Sequence, residues 1–213
     1  MSNRVNDFSI IEEIWHAITH GLGLALSIAG LTIMVAFAAM SGSVVAVVSS
    51  AIFGTTLIIL YGSSTLYHAI THHDIKQRFQ QFDHASIYIL IAGSYTPVTL
   101  VSLGGVWGWT IFSIVWSVAL VGIVLKFVYP GRFEKLSLLL YLLLGWLIVV
   151  ATKPLFENME SGGLWLLLAG GLSYSVGIIF YVWEKLPFNH AIWHLFVLGG
   201  SILHFFMVLF YII

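Results

Sequence analysis

The feature that constrains this chain most is a succession of seven apolar runs. Each is close to the roughly 20 residues that a helix needs to cross the hydrocarbon core of a bilayer. They lie at about 15-39, 44-70, 84-103, 107-128, 136-152, 163-183 and 190-212. The breaks fall at Ser41-Gly42-Ser43, the polar run Thr71 to Gln81, Gly104-Gly105, Pro130-Gly131-Arg132, Lys153-Pro154 through Gly163, and Glu184 to Asn189. Only 8% of the residues are charged, against about 25% in an ordinary soluble domain. That is too few to cover a soluble globule, so the natural solvent is lipid. No run shows the ten-residue alternation of a membrane β-barrel, and in lipid the remaining way to satisfy the backbone is the helix. The expected fold is therefore an all-α integral membrane protein, a seven-transmembrane-helix bundle forming one domain over 1-213. The segment leading into the first run carries Glu12 and Glu13, and the run exceeds a signal-peptide core, so it reads as a retained helix.

Basic residues in short loops set the orientation. With seven spans, the N-terminus shares a side with Arg4, Lys76, Arg78, Lys126, Arg132, Lys135 and Lys185, while Lys153 stands alone opposite. The expected N-terminus is cytoplasmic and the C-terminus outside, the reverse of a receptor coupled to G proteins. The seventh span contains no lysine, which excludes a retinal Schiff base. There is no basic patch for nucleic acid. The chain has no cysteine, so a metal would have to be held by His, Asp or Glu.

Six of the nine histidines stand in three copies of one spacing: His16-Ala-Ile-Thr-His20, His68-Ala-Ile-Thr-His72 and His190-Ala-Ile-Trp-His194. All three fall at cytoplasmic ends of the expected spans, and Asp83 opens the third span at the same level. Residues four apart share a helix face, so one helix can offer two imidazoles to one ion. His190 and His194 fit this, with a third ligand from another helix. A catalytic zinc commonly has three protein ligands and a water whose pKa falls to about 7.

A charged Asp within a span costs on the order of 3 kcal/mol and usually faces the bundle interior with a partner. Asp83 therefore reads either as the N-cap of the third helix or as a base and orienter beside a metal-bound water. Ser64, one turn from His68, can hydrogen-bond that water or a substrate carbonyl. His204 lies about 15 Å beyond His194, too far to share its ion, and reads as an interior hydrogen-bonding or cavity-lining residue. Pro97 should kink the third span, with Ser94 or Thr96 satisfying the freed backbone.

Jointly, Ser64-x3-His68, Phe82-Asp83-His84-Ala85-Ser86-Ile87-Tyr88 and His190-Ala191-Ile192-Trp193-His194 resemble the hemolysin III group of the progestin and adiponectin receptor family, itself related to alkaline ceramidases. Thr19-His20-Gly21 and Ile91-Ala92-Gly93-Ser94-Tyr95-Thr96-Pro97 extend the likeness over nearly the whole chain. It is most similar to the bacterial branch, which implies a multi-pass protein of the plasma (inner) membrane. The resemblance implies zinc held by His68, His190 and His194, with Asp83 beside the metal water and Ser64 in the same site. It does not use His16 or His72 as ligands. His20 belongs to the family's first-helix motif, and with His204 is a candidate to support the ligands or face the substrate. The expected function is hydrolysis of a lipid amide or ester, with a membrane lipid as the partner and a role in membrane homeostasis. The competing expectations are a pore-forming hemolysin and a zinc-stabilised sensor without catalysis.

Overall fold

The computed structural model describes residues 8–213. Arg4, counted among the loop charges, lies outside them. Helices α1 (Ile10–Met40), α2 (Val44–Ala69), α3 (His73–Pro97), α4 (Gly105–Val128), α5 (Glu134–Gly145), α6 (Thr152–Asn158), α7 (Ser161–Val182) and α8 (Asn189–Tyr211) follow one another. No strand occurs among the described residues. Seven helical segments are long and apolar enough to cross a membrane, one of them the broken rod from Glu134 to Asn158 that contains α5 and α6.

The start of α1 is fixed locally. Ser9 and Glu12 form a reciprocal capping box, Glu12 N–H donating to Ser9 Oγ at 3.3 Å and Ser9 N–H donating to Glu12 Oε2 at 3.0 Å. Two of the orphan amides at a helix start are thereby satisfied. The register that follows buries His16, His20, Gly23, Ser27, Gly30, Met34 and Ala38 on one face. A Cβ at Gly23 would stand 2.5 Å from the Tyr61 ring, so glycine there sets how closely α1 can approach α2.

The chain departs from the hydropathy pattern in α3. The polar run expected to be a loop is helical from His73 onward, about three turns before the apolar span begins. Hydropathy reports where a helix meets lipid, not where it starts. Asp83 is consequently inside α3 and is not its N-cap. At the other end Pro97 leads into a wide π-type turn over Val98–Leu103. Thr96 Oγ donates to Ala92 O at 2.9 Å and Ser94 Oγ to Ile91 O at 2.9 Å. Neither hydroxyl reaches the Gly93 carbonyl, the one that a proline at 97 leaves without its amide partner, contrary to expectation.

The fifth rod is broken at Gly145–Trp146, where α5 passes through a 3-10 turn, Leu147–Ala151, into α6. Tyr95 of α3 serves the break: its hydroxyl donates to Leu144 O at 2.7 Å and accepts from Ile148 N–H at 2.9 Å. Trp146 Nε1 donates to Ser175 Oγ of α7 at 2.9 Å.

Around the bundle α1 packs on α2, α2 on α3, α3 on α4, and α7 on α8, which returns to α1. The α5–α6 rod packs against α3 through α5. Between α3, α5, α7 and α8 lies a cavity of about 420 Å³. Large apolar side chains such as Leu143, Val150, Ile179 and Phe210 are exposed on the outer surface, as lipid contact requires.

Candidate metal centre

The first turns of α1, the last turn of α2 and the first turns of α8 meet at one level. Each arrives there for a local reason. α2 stops at Ala69, with Ile70 extended. Lys76, one turn into α3, donates its ammonium to Tyr67 O at 2.8 Å and Ile70 O at 3.2 Å, closing the carbonyl end of α2. Phe188, in the left-handed conformation (φ 56°), turns the chain into α8. Asn189 Nδ2 donates to Phe180 O at 3.1 Å and Tyr181 O at 3.3 Å, tying the end of α7 to the start of α8. His190 follows directly.

This brings His68, His190 and His194 together. Each offers one ring nitrogen, the three lie within 4.8 Å of one another, and all three residues are buried. The Nε2 atoms of all three have no hydrogen-bond partner. Buried polar nitrogens are rarely left unpaired, and three imidazole nitrogens this close together are a donor set a zinc-type ion takes. The residues fit such an ion.

Two contacts orient these rings. Glu13 Oε2 accepts from His68 Nδ1–H at 2.6 Å. Thr19 Oγ1 spends its own proton on the Trp15 and His16 carbonyls at 2.9 and 3.0 Å, so it accepts from His194 Nδ1–H at 3.1 Å. In both rings the proton sits on Nδ1 and the lone pair faces inward on Nε2. Metal-ligating histidines are usually fixed this way. Lys76 Nζ in turn holds Glu13 Oε1 at 3.0 Å.

The other residues that the sequence singles out divide. His16 and His20 join the cluster: the His16 ring centroid is 4.6 Å from His68 and 4.8 Å from His190, and His20 stacks on His194 at 3.4 Å. His72 does not join, because α2 has ended before it, and it is exposed at the N-cap of α3. Asp83 is buried, lines the cavity with His20 and His84, and adjoins Ser64. Ser63 Oγ donates to Ser86 Oγ at 3.2 Å and Ser86 Oγ to Asp83 O at 2.6 Å, which sets α2 against α3 at this point. Ser64 Oγ is buried, and the polar group beside it is the Asp83 side chain. His204 lies away from the cluster, on the cavity wall, with Nε2 3.3 Å from Leu167 O.

A family model described as haemolysin-III related matches residues 8–205. The chain belongs to the haemolysin III family. Among its relatives, Hemolysin-3 of Bacillus cereus is 53% identical over 202 residues, covering 95% of this chain and 92% of that protein. The Hemolysin-3 homolog of Bacillus subtilis (strain 168) is 53% identical over 204 residues, 96% of both chains. Monocyte to macrophage differentiation factor of Homo sapiens is 30% identical over 167 residues, 74% of this chain and 67% of that protein. In this haemolysin III chain, the residues that sequence reasoning missed are Glu13, Thr19 and Lys76. The available signal was an acid and a threonine three residues to either side of His16.

Proposed function

We propose that this haemolysin III protein is a metal-dependent hydrolase embedded in the bacterial plasma membrane, acting on the acyl bond of a lipid amide or ester. One observation carries the reading: three partnerless histidine Nε2 atoms lie in the same cluster as His20, which with the buried Asp83 forms one wall of an apolar cavity. His68, His190 and His194 would hold the ion, and zinc suits imidazole donors with a carboxylate nearby. When bound, such an ion polarises a carbonyl and brings the pKa of water down to about 7.

The chain's own residues do the rest. Glu13 and Thr19 hold the His68 and His194 rings in one tautomer. Asp83 accepts the proton of the attacking water and returns it to the departing amine or alcohol. Ser64, buried beside Asp83, orients that water or the substrate carbonyl. The cavity takes an acyl chain: Leu90, Ile91, Leu142 and Leu168 line it, and a filled cavity keeps bulk water from the reacting bond. Both α5 and α7 contribute to its wall, so a lipid would enter sideways between them.

The loop charges support a cytoplasmic N-terminus, which places this chemistry at the inner leaflet. The pore reading that the name of the Bacillus cereus relative invites has less support, since the cavity wall is mostly apolar. The test is metal analysis with lipidomics on wild type and Asp83→Asn. Equal metal in both proteins, with one lipid class accumulating only in the variant, is the expected result. An unchanged lipidome would remove the hydrolase and leave a metal-stabilised sensor.

A further inference from the structure

His16 is fully buried, yet neither of its ring nitrogens has a hydrogen-bond partner. Its Nδ1 stands 4.0 Å from Glu13 Oε2, the same oxygen that holds His68 Nδ1 at 2.6 Å. Glu13, His16 and His68 each offer an atom within 4.8 Å of the others. Two imidazoles and a carboxylate are a donor set that first-row divalent ions accept. His16 thus presents two dry nitrogens beside a carboxylate, an arrangement that invites a cation.

We infer that Glu13, His16 and His68 form a second seat for a divalent transition-metal ion, which the ion occupies in alternation with the three-histidine seat. This rests on the reading that His68, His190 and His194 hold a metal. His68 belongs to both seats and turns a different nitrogen to each. Nδ1 faces Glu13, and Nε2 is the partnerless atom. An ion in the second seat replaces the proton shared by Glu13 and His68.

Simultaneous occupancy is opposed by charge. Lys76 Nζ already lies 3.0 Å from Glu13 Oε1, so a dication in the second seat would face both this fixed ammonium and an ion on the other nitrogen of His68. The order of access also follows. The Glu13 side chain is 16% exposed, whereas His190 and His194 are 4% and 0% exposed. An ion arriving from water meets Glu13 first. The Phe8 ring packs close by, 4.7 Å from His16 and 5.1 Å from His190. The second seat is where the ion is loaded.

The test is Co²⁺ binding to purified full-length protein in detergent, followed by visible absorption and competition with a chelator. Wild type should bind one Co²⁺ per chain. His190→Ala, which disables the first seat, should still bind one Co²⁺, at least tenfold more weakly. Adding Glu13→Gln or His16→Ala to that background should weaken the residual binding at least tenfold again. Glutamine can still accept from His68 Nδ1–H, so this variant removes the charge while keeping the ring in place. His194→Ala replaces His190→Ala as the background if the latter does not give monodisperse protein. Residual binding that ignores both added substitutions, or no residual binding at all, overturns the second seat while leaving the first intact. Wild type that takes up no Co²⁺ overturns the three-histidine reading itself.

Discussion

Glu13 on the first helix and His68 at the end of the second are joined by a 2.6 Å contact between Oε2 and Nδ1, across 55 positions of sequence. That contact decides which nitrogen of His68 is free, and Lys76 locks the carboxylate from its other side. Removing it should loosen the ion in the three-histidine seat without deleting any of that seat's own ligands. Glu13→Ala is expected to weaken zinc binding roughly 10–100-fold, the usual cost of losing such an outer partner. Competition with a chelator of known affinity measures it, and wild-type affinity would show that the His68 ring is held by other means.

Thr19 makes the corresponding contact to His194 at 3.1 Å. Thr19→Ser keeps the acceptor and should bind zinc like wild type. Thr19→Val removes it at nearly constant volume, and zinc affinity should fall about 10-fold or more. If serine and valine behave alike, the hydroxyl is not what orients the ring.

Asp83→Asn separates binding from chemistry. Asparagine keeps the shape, so the metal should stay, while turnover of a lipid amide or ester should drop about 10²–10⁴-fold through loss of the proton acceptor. Steady-state kinetics on metal-loaded protein would show it. Loss of metal in this variant would instead make Asp83 part of the ion's support.

Gly23→Ala tests the packing that brings α1 to the site. Its Cβ would meet the Tyr61 ring at 2.5 Å, whereas a Cβ at Gly21 meets only Thr65 at 3.8 Å. Gly23→Ala should destabilise by about 1–3 kcal/mol through overpacking, and Gly21→Ala should not. Thermal unfolding in detergent distinguishes them; equal midpoints would mean that α1 can shift freely over α2.

The proposed orientation is testable because the chain has no cysteine. A cysteine placed at the exposed Asn158 should react with an impermeant maleimide on intact cells, and one at the exposed Glu184 only after permeabilisation. The opposite pattern would invert the assignment.

The seven spans were legible because a bilayer imposes length and hydropathy on any helix that crosses it. The first three turns of α3 were not, since His73 to Phe82 is helical but polar, and hydropathy is blind to that. His190 and His194 were readable from helical spacing, and His68 from the family motif. Glu13 and Thr19 were not, because their partners stand 55 and 175 positions away, and only packing brings them together. The repeated pentad alone does not tell which copies join the site. His72 copies the spacing of His20 and His194, but α2 ends at Ala69 and takes His72 off the helix.

The central claim is that three histidines from two helices hold one ion. Metal content after dialysis against a competing chelator tests it most directly, on wild type beside His194→Ala. The account predicts one zinc per wild-type chain and less than about a tenth of that in the variant, since losing one of three ligands forfeits most of the affinity. A wild type without zinc, or a variant that keeps its full complement, would contradict it.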